Sequence, residues 1–186
     1  MYLSLGSRNC RKGEYVLDYS SSAPFHYVKK IVLERFGCPE LVLESDPRGV
    51  TLSAVGSSAG IFFPPFLDNA STAELLSRPD TELRMLPADD FVKETIGEQA
   101  IPALFIGDAP IPRQLVSFGE NEVRIHFDLL GAVFYILTRM EEIKSPVRDG
   151  HGRFPATASH ALTHRYLHRP VVDEYVEILW RCIKHL

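Results

Sequence analysis

Apolar positions recur along the chain with two different periods, and each change of period marks an element. In "FHYVKKIVLERFG", Phe25, Val28, Val32 and Phe36 fall on one face of a 3.6-residue repeat; "SSSAP" before it suits a helix start and Gly37 a stop. This predicts an amphipathic helix. "ELVLES", "GVTLSAV" and "AGIFFPP" are short β-rich runs separated by the turn signatures "DPRG" and "GSS", which predicts an antiparallel hairpin or a three-stranded meander. "EYVLDY" (Glu14–Tyr19) reads as a strand or a first helical turn, and "STAELLSR" as a short helix with Ser71 and Glu74 in a capping box. Ile101–Gly107 reads as a buried strand, followed by an extended loop because two prolines restrict "DAPIPRQ". The mixed, acidic stretch before Ala100 yields no assignment.

From Phe127 to Met140 the segment "RIHFDLLGAVFYILTRMEEI" is apolar around most of a helical circumference, which predicts a central helix near 127–142 packed on more than one side. A C-terminal helix near 170–185 follows from "RPVVDEYVEILWRCIKHL". Pro170 takes its first position, Asp173, Glu174 and Glu177 come early, and Arg181, Lys184 and His185 come late, complementing the helix dipole. Val172, Tyr175, Val176, Leu179 and Ile183 are its expected buried stripe. Together these elements predict a single mixed α/β (α+β) domain, with a sheet from the runs near 41–63 and 101–106 flanked by the three helices.

With 186 residues, 45% of them hydrophobic, the chain has enough apolar surface for one core and too little for two. Charged residues at 24% exclude neither solubility nor folding, and no run approaches eighteen apolar residues. The N-terminus lacks the order of a secretory signal, so a cytoplasmic location is expected and no membrane partner. Cys10, Cys38 and Cys182 are far apart with no CxxC pair, and Cys182 sits in a helical apolar pattern as a small hydrophobe.

The net charge is −4, yet Lys144 to Arg169 holds five Lys/Arg against one Asp, leaving −8 on the rest. This connector between the last two long helices, "RDGHGRFPATASHALTHRYLHRP" at its centre, has little apolar periodicity. Long connections of this kind are usually functional or mobile. Arg148, His151, Arg153, His168 and Arg169 are candidates to hold a carboxylate or phosphate by charge-assisted hydrogen bonds. The bland alternative pairs such arginines, with Arg139, against Glu141, Glu142, Asp173 and Glu174 at the adjoining helix ends. Nucleic acid is excluded as an expected partner by the overall charge and by the lack of aromatics interleaved with the basic residues.

His160, His164 and His168 recur every four residues and could stack on one helical face as metal ligands, but no local carboxylate is placed to orient them. Asp89-Asp90 and His160/His164 mimic the metal triad of polysaccharide deacetylases without its flanking residues, and both are decoys. A GxSxG elbow, a phosphate-cradling glycine loop and the Asp…Glu-x-Lys signature of a nuclease are all missing. No catalytic residue, metal ligand or cofactor is therefore assigned to this chain.

The segments "FDLLGAVFYILTRMEEI", "RDGHGRFPA" and "HRPVVDEYVEIL", in this order, resemble the domain of unassigned function that precedes the catalytic domain in bacterial polysaccharide-deacetylase-family proteins. The resemblance covers roughly Phe127 to Leu179; Met140 stands where an aromatic is expected. It implies that residues 1–186 are the N-terminal part of a longer protein, that the catalytic metal ligands lie beyond Leu186, and that the partners are the chain's own deacetylase-like domain and a polysaccharide. The resulting expectation is a non-catalytic accessory domain that positions the catalytic domain or contacts glycan. Its alternatives are a small metal-dependent hydrolase using His160, His164 and His168, and a structural or oligomerisation module.

Overall fold

The computed structural model describes residues 23–186 apart from 38–39, 47, 66–73, 75–76, 79–80 and 109. The expected element at 14–19 and the capping box at Ser71 lie outside the described residues. In chain order the elements are α1 (Ala23–Phe36), β1 (Leu41–Asp46), β2 (Gly49–Ala54), β3 (Gly60–Phe63), β4 (Thr81–Leu86), α2 (Asp90–Ile96), β5 (Ile101–Ile106), β6 (Val116–Phe118), β7 (Glu122–Ile125), α3 (Leu129–Leu137), α4 (Met140–Lys144), α5 (His160–Thr163) and α6 (Val171–Ile183). This is the mixed α/β architecture that the sequence predicts. No helix among the described residues is long and apolar enough to cross a membrane.

The meander forms as expected. β1, β2 and β3 pair antiparallel, with Asp46 opposite Gly49 and Val50 opposite Phe63. The Asp46 carboxylate accepts the backbone N–H groups of Arg48 and Gly49 and the Arg48 guanidinium, fixing the turn that the DPRG signature announces. Gly49 is obligatory there, because a Cβ would run into the Phe63 carbonyl oxygen and the Phe62 ring. The chain then leaves the sheet and returns as β7, parallel to β3, with β6 on the outer edge, giving the order β1-β2-β3-β7-β6.

The excursion between β3 and β7 corrects one expectation. Ile101–Ile106 does not join the 41–63 sheet; it pairs antiparallel with β4 in a separate two-stranded ladder, Leu83 opposite Leu104. β4 alternates well enough to bury Thr81, Leu83 and Leu86, but Glu82 and Arg84 between them disguise it as an acidic linker. Every residue of β5 up to Phe105 is buried, since α3 covers it.

The central helix is shorter than the apolar run. Asp128 caps it, its carboxylate accepting the Gly131 N–H at 2.7 Å, and residues 129–135 are all buried. It ends at Thr138, whose hydroxyl donates back to the Phe134 carbonyl, and Arg139 then adopts a left-handed φ of 55° before α4 starts in a new direction. The hydrophobic pattern runs through this break because Met140 is buried again on the far side.

On α6 the buried stripe is rotated from the expected one. Val171, Tyr175, Ile178, Leu179 and Cys182 are buried, while Val172, Val176 and Ile183 are only partly covered. Pro170 sits at the capping position, one residue before the first helical residue. α6 packs against α1, α2, α3 and β3, and so ties the meander to the later half of the chain. Fully burying side chains the size of Tyr175, Phe25 and Phe63 contributes about 1.5–3 kcal/mol each.

Candidate functional site

The long connector is more ordered than its composition suggests. The Asp149 carboxylate accepts the backbone N–H groups of His151 and Arg153 and pairs with the Arg153 guanidinium at 3.0 Å, so residues 149–153 form a closed turn. Those hydrogen bonds, the Arg153 N–H foremost, hold the Asp149 carboxyl below the usual carboxylate range. Residues 156–158 make a 3-10 turn, and α5 follows directly after Ser159.

Folding of this connector over the α3–α4 break encloses a cleft of about 410 Å³. Tyr135 and Arg139 come from the end of α3 and the left-handed link, Glu141 and Glu142 from the first turn of α4, and Phe154 and Tyr166 from the connector. A second, more open cavity of about 300 Å³ shares Ile136, Ala161, Tyr166 and Leu167 with it and runs toward Val171 and Val172.

Three contacts hold the cleft in shape. Glu141 accepts the backbone N–H of His160 through one carboxylate oxygen, His160 Nδ1 is hydrogen-bonded to the Tyr166 hydroxyl at 2.8 Å, and the His160 and His164 rings stack with centroids 4.1 Å apart. Burial pushes the Glu141 carboxyl above its ordinary value, with the His160 N–H as a partial offset. Burial, reinforced by His164, pushes the His160 imidazole down to about 4, so it is neutral near pH 7. Burial raises the Tyr135 phenol to about 12 and the Tyr166 phenol further. Both tyrosines are thus uncharged walls, and Tyr166 is fixed by its bond to His160.

Three of the five candidate ligand residues are engaged in local bonds. Arg169 is nearly buried and grips Glu174 with Nε and Nη2, while Nη1 donates to the Ala100 carbonyl at 2.8 Å. Arg148 donates to the carbonyls of Ser145, Val147 and Glu142. Arg153 is spent on Asp149, and His151 and His168 are exposed. No hydrogen bond joins any of the five to another among the described residues. Of the candidate ion-pair residues, Arg139 meets Glu142 at 2.5 Å, Asp173 meets Arg35, and Glu174 meets Arg169, whereas Glu141 meets a backbone N–H and not an arginine.

His160, His164 and His168 do not converge as metal ligands: the first two rings lie against each other at a tilt of 31°, His160 Nδ1 is taken by Tyr166, and among the described residues no group of three or more His, Cys, Asp or Glu is placed to hold a metal ion. Asp89 has a plain structural role, capping α2 at Val92 and accepting the N–H groups of Leu115 and Val116. Cys182 is buried, its thiol raised by burial to about 12.

Tyr135, Phe154, Tyr166 and Glu141 carry the cleft, and sequence reasoning assigned none of them to a ligand site. Tyr135 was absorbed into the apolar helix, and Tyr166 and Phe154 lie in a stretch read for its charges. The available signal was three aromatics placed on either side of the end of the apolar run.

The family of unknown function DUF7033 matches residues 65–186, a span that holds the whole cleft, β4 to α6 and the three recognised motifs, and leaves out α1 and β1–β3. No curated protein and no solved structure matches the chain. Because that span takes in well over half of the sequence, the chain belongs to the family of unknown function DUF7033.

Proposed function

We propose that this chain is a non-catalytic accessory domain of a polysaccharide-deacetylase-like protein, and that the cleft between α3, α4 and the connector is its glycan-contacting surface. The observation that carries this reading is the wall chemistry. Three aromatic side chains, Tyr135, Phe154 and Tyr166, line a concave site together with a few polar groups, Arg139, Glu141 and Glu142. Sugars present apolar C–H faces that pack on aromatic rings and hydroxyls that need fixed polar partners, which is the balance such a cleft offers. The resemblance of the three C-terminal motifs to the domain preceding a deacetylase-like catalytic domain supports the same context.

The informative variant is at Phe154 on the cleft wall and not at Arg153, which lies on an exposed turn. Calorimetric titration of the chain with a panel of neutral and charged oligosaccharides should give saturable binding that Phe154→Ala abolishes without altering far-UV circular dichroism. Absence of saturable heat across the panel would reject the reading.

A second reading has one observation in its favour. Leu162 and Leu167 on the connector are 41% and 62% exposed, and Leu167 borders both cavities. On this reading the face seats a neighbouring domain, and Leu167→Lys should weaken that association while leaving saccharide titrations unchanged.

A further inference from the structure

The charges around the cleft are paired off with one exception. On β4, Glu82 takes Arg84 at 2.7 Å; at the head of α4, Glu142 takes Arg139 at 2.5 Å; beneath the connector, Glu174 takes Arg169 at 2.6 Å. Glu141 lines the cavity, is only partly exposed, and has no cationic partner among the described residues. Among the described residues its carboxylate accepts one hydrogen bond, from the neutral backbone N–H of His160. The His160 imidazole cannot serve as counter-charge, since burial and His164 keep it neutral at neutral pH. Burial raises the Glu141 carboxyl and the His160 N–H partly offsets it, with no cation acting to lower it.

A partly desolvated carboxylate without a counter-ion is costly, and a native site that keeps one is complementary to a cation. The walls agree, because Tyr135, Phe154 and Tyr166 line the cavity and aromatic rings attract cations through their quadrupole. An anionic ligand meets the opposite situation: it would have to draw Arg139 away from Glu142 and sit beside Glu141. A neutral ligand can satisfy hydrogen bonds but leaves the charge uncompensated.

We propose that the cleft selects a ligand bearing a protonated amine, paired with Glu141 between the aromatic walls; resting on the glycan reading above, that ligand is a saccharide with free amino groups. Arg139 contributes by neutralising Glu142, which leaves a single negative charge to be met by a single ammonium group.

The test titrates the intact chain with oligomers of glucosamine and with N-acetylglucosamine oligomers of the same length. Near pH about 6.5, where much of the amine is charged, the glucosamine series should bind about tenfold tighter, the scale of one charge-assisted contact. The preference should fade as pH rises and the amine loses its proton. Glu141→Gln keeps an oxygen for the His160 N–H, so it should erase the preference while leaving the thermal midpoint unchanged or higher; a structural role for Glu141 would leave the preference intact. Equal affinity for the two series, with binding still lost in Phe154→Ala, overturns the amine inference and leaves the glycan reading standing. Binding of neither series overturns both. The comparison between ligands on the wild-type chain stands even where a variant fails to fold.

Discussion

Arg169 and Glu174 form a two-pronged ion pair with side chains only 8% and 15% exposed, and the third guanidinium nitrogen reaches the carbonyl of Ala100, sixty-nine residues back in the chain. The pair locks the end of the connector onto both the start of α6 and the entry to β5. Removing one partner strands the other in a poorly solvated place, so Arg169→Ala should cost about 3–5 kcal/mol of stability. Arg169→Lys should rescue little, because an ammonium cannot reproduce the fork. Urea denaturation followed by circular dichroism measures both. Wild-type stability in Arg169→Ala would mean that the pair is dispensable.

Gly49 sets a second, independent test. A methyl group there would overlap the Phe63 carbonyl and the Phe62 ring; the ring can swing aside, but the carbonyl cannot retreat without disturbing the β2–β3 ladder. Gly49→Ala should therefore destabilise by about 1–3 kcal/mol, the usual range for overpacking a tight site. Gly56→Ala meets nothing within 4 Å but sits at φ 80°, so its cost is conformational alone and should be the smaller of the two. A reversed order in denaturation midpoints would contradict the contact argument.

Tyr175 offers a test of the core. Its ring is fully buried on α6 and its hydroxyl donates to the backbone carbonyl of Pro102 on β5. Tyr175→Phe keeps the packing and leaves a buried carbonyl without that donor, at a cost of about 1–3 kcal/mol. The thermal midpoint should drop, and amide exchange in β5 should quicken ahead of that in β1 and β2.

These contacts show where sequence reading reaches its limit. The meander, α1 with its Gly37 stop and the mixed α/β class were legible because hydrophobic period, turn residues and caps are local. The pairing of β5 with β4 was not, because Thr81–Leu86 carries Glu82 and Arg84 on its outward face and reads as a linker until its partner is known. The break at Arg139 was hidden for a related reason: buried residues on both sides keep the apolar run continuous while the backbone turns. The cleft is a product of that break. Its aromatics are far apart in sequence, and Glu141 stands out only once Arg139, Arg84 and Arg169 are seen to be taken by other carboxylates.

The neutral, partly buried His160 makes stability depend on pH with a definite sign. Its folded-state value of about 4 lies below the ordinary 6.5, so the unfolded chain takes up the proton first. The stabilising contribution is complete above pH 6.5 and is lost as pH falls from 6.5 toward 4; discounted for partial exposure it is on the order of 2 kcal/mol. Glu141 opposes this, since its raised folded-state value adds stability that is present at low pH and lost as pH rises through its titration. Glu82, His164 and Tyr166 face the same imidazole. Denaturation midpoints measured from pH 7 to 4 should fall more steeply for the wild type than for His160→Gln, which has no proton to gain; parallel curves would remove His160 from the account.

Arg139 is held at φ 55°, a conformation that costs a side-chain-bearing residue about 1–2 kcal/mol and glycine almost nothing. Glycine gives back part of that gain through the greater freedom of its unfolded chain. What the arginine supplies in return is an ion pair with Glu142 whose arginine is 75% exposed, and exposed pairs contribute little to stability. Arg139→Gly should thus raise stability by up to about 1 kcal/mol, or a few degrees in thermal midpoint for a chain of this size. The same substitution leaves Glu142 unneutralised beside Glu141 at the cleft, so it should change saccharide affinity while the fold becomes more robust. A protein that loses stability on this change would show that the left-handed arginine is held for the architecture of the α3–α4 turn, whereas a more stable protein with altered binding places its value in the cleft.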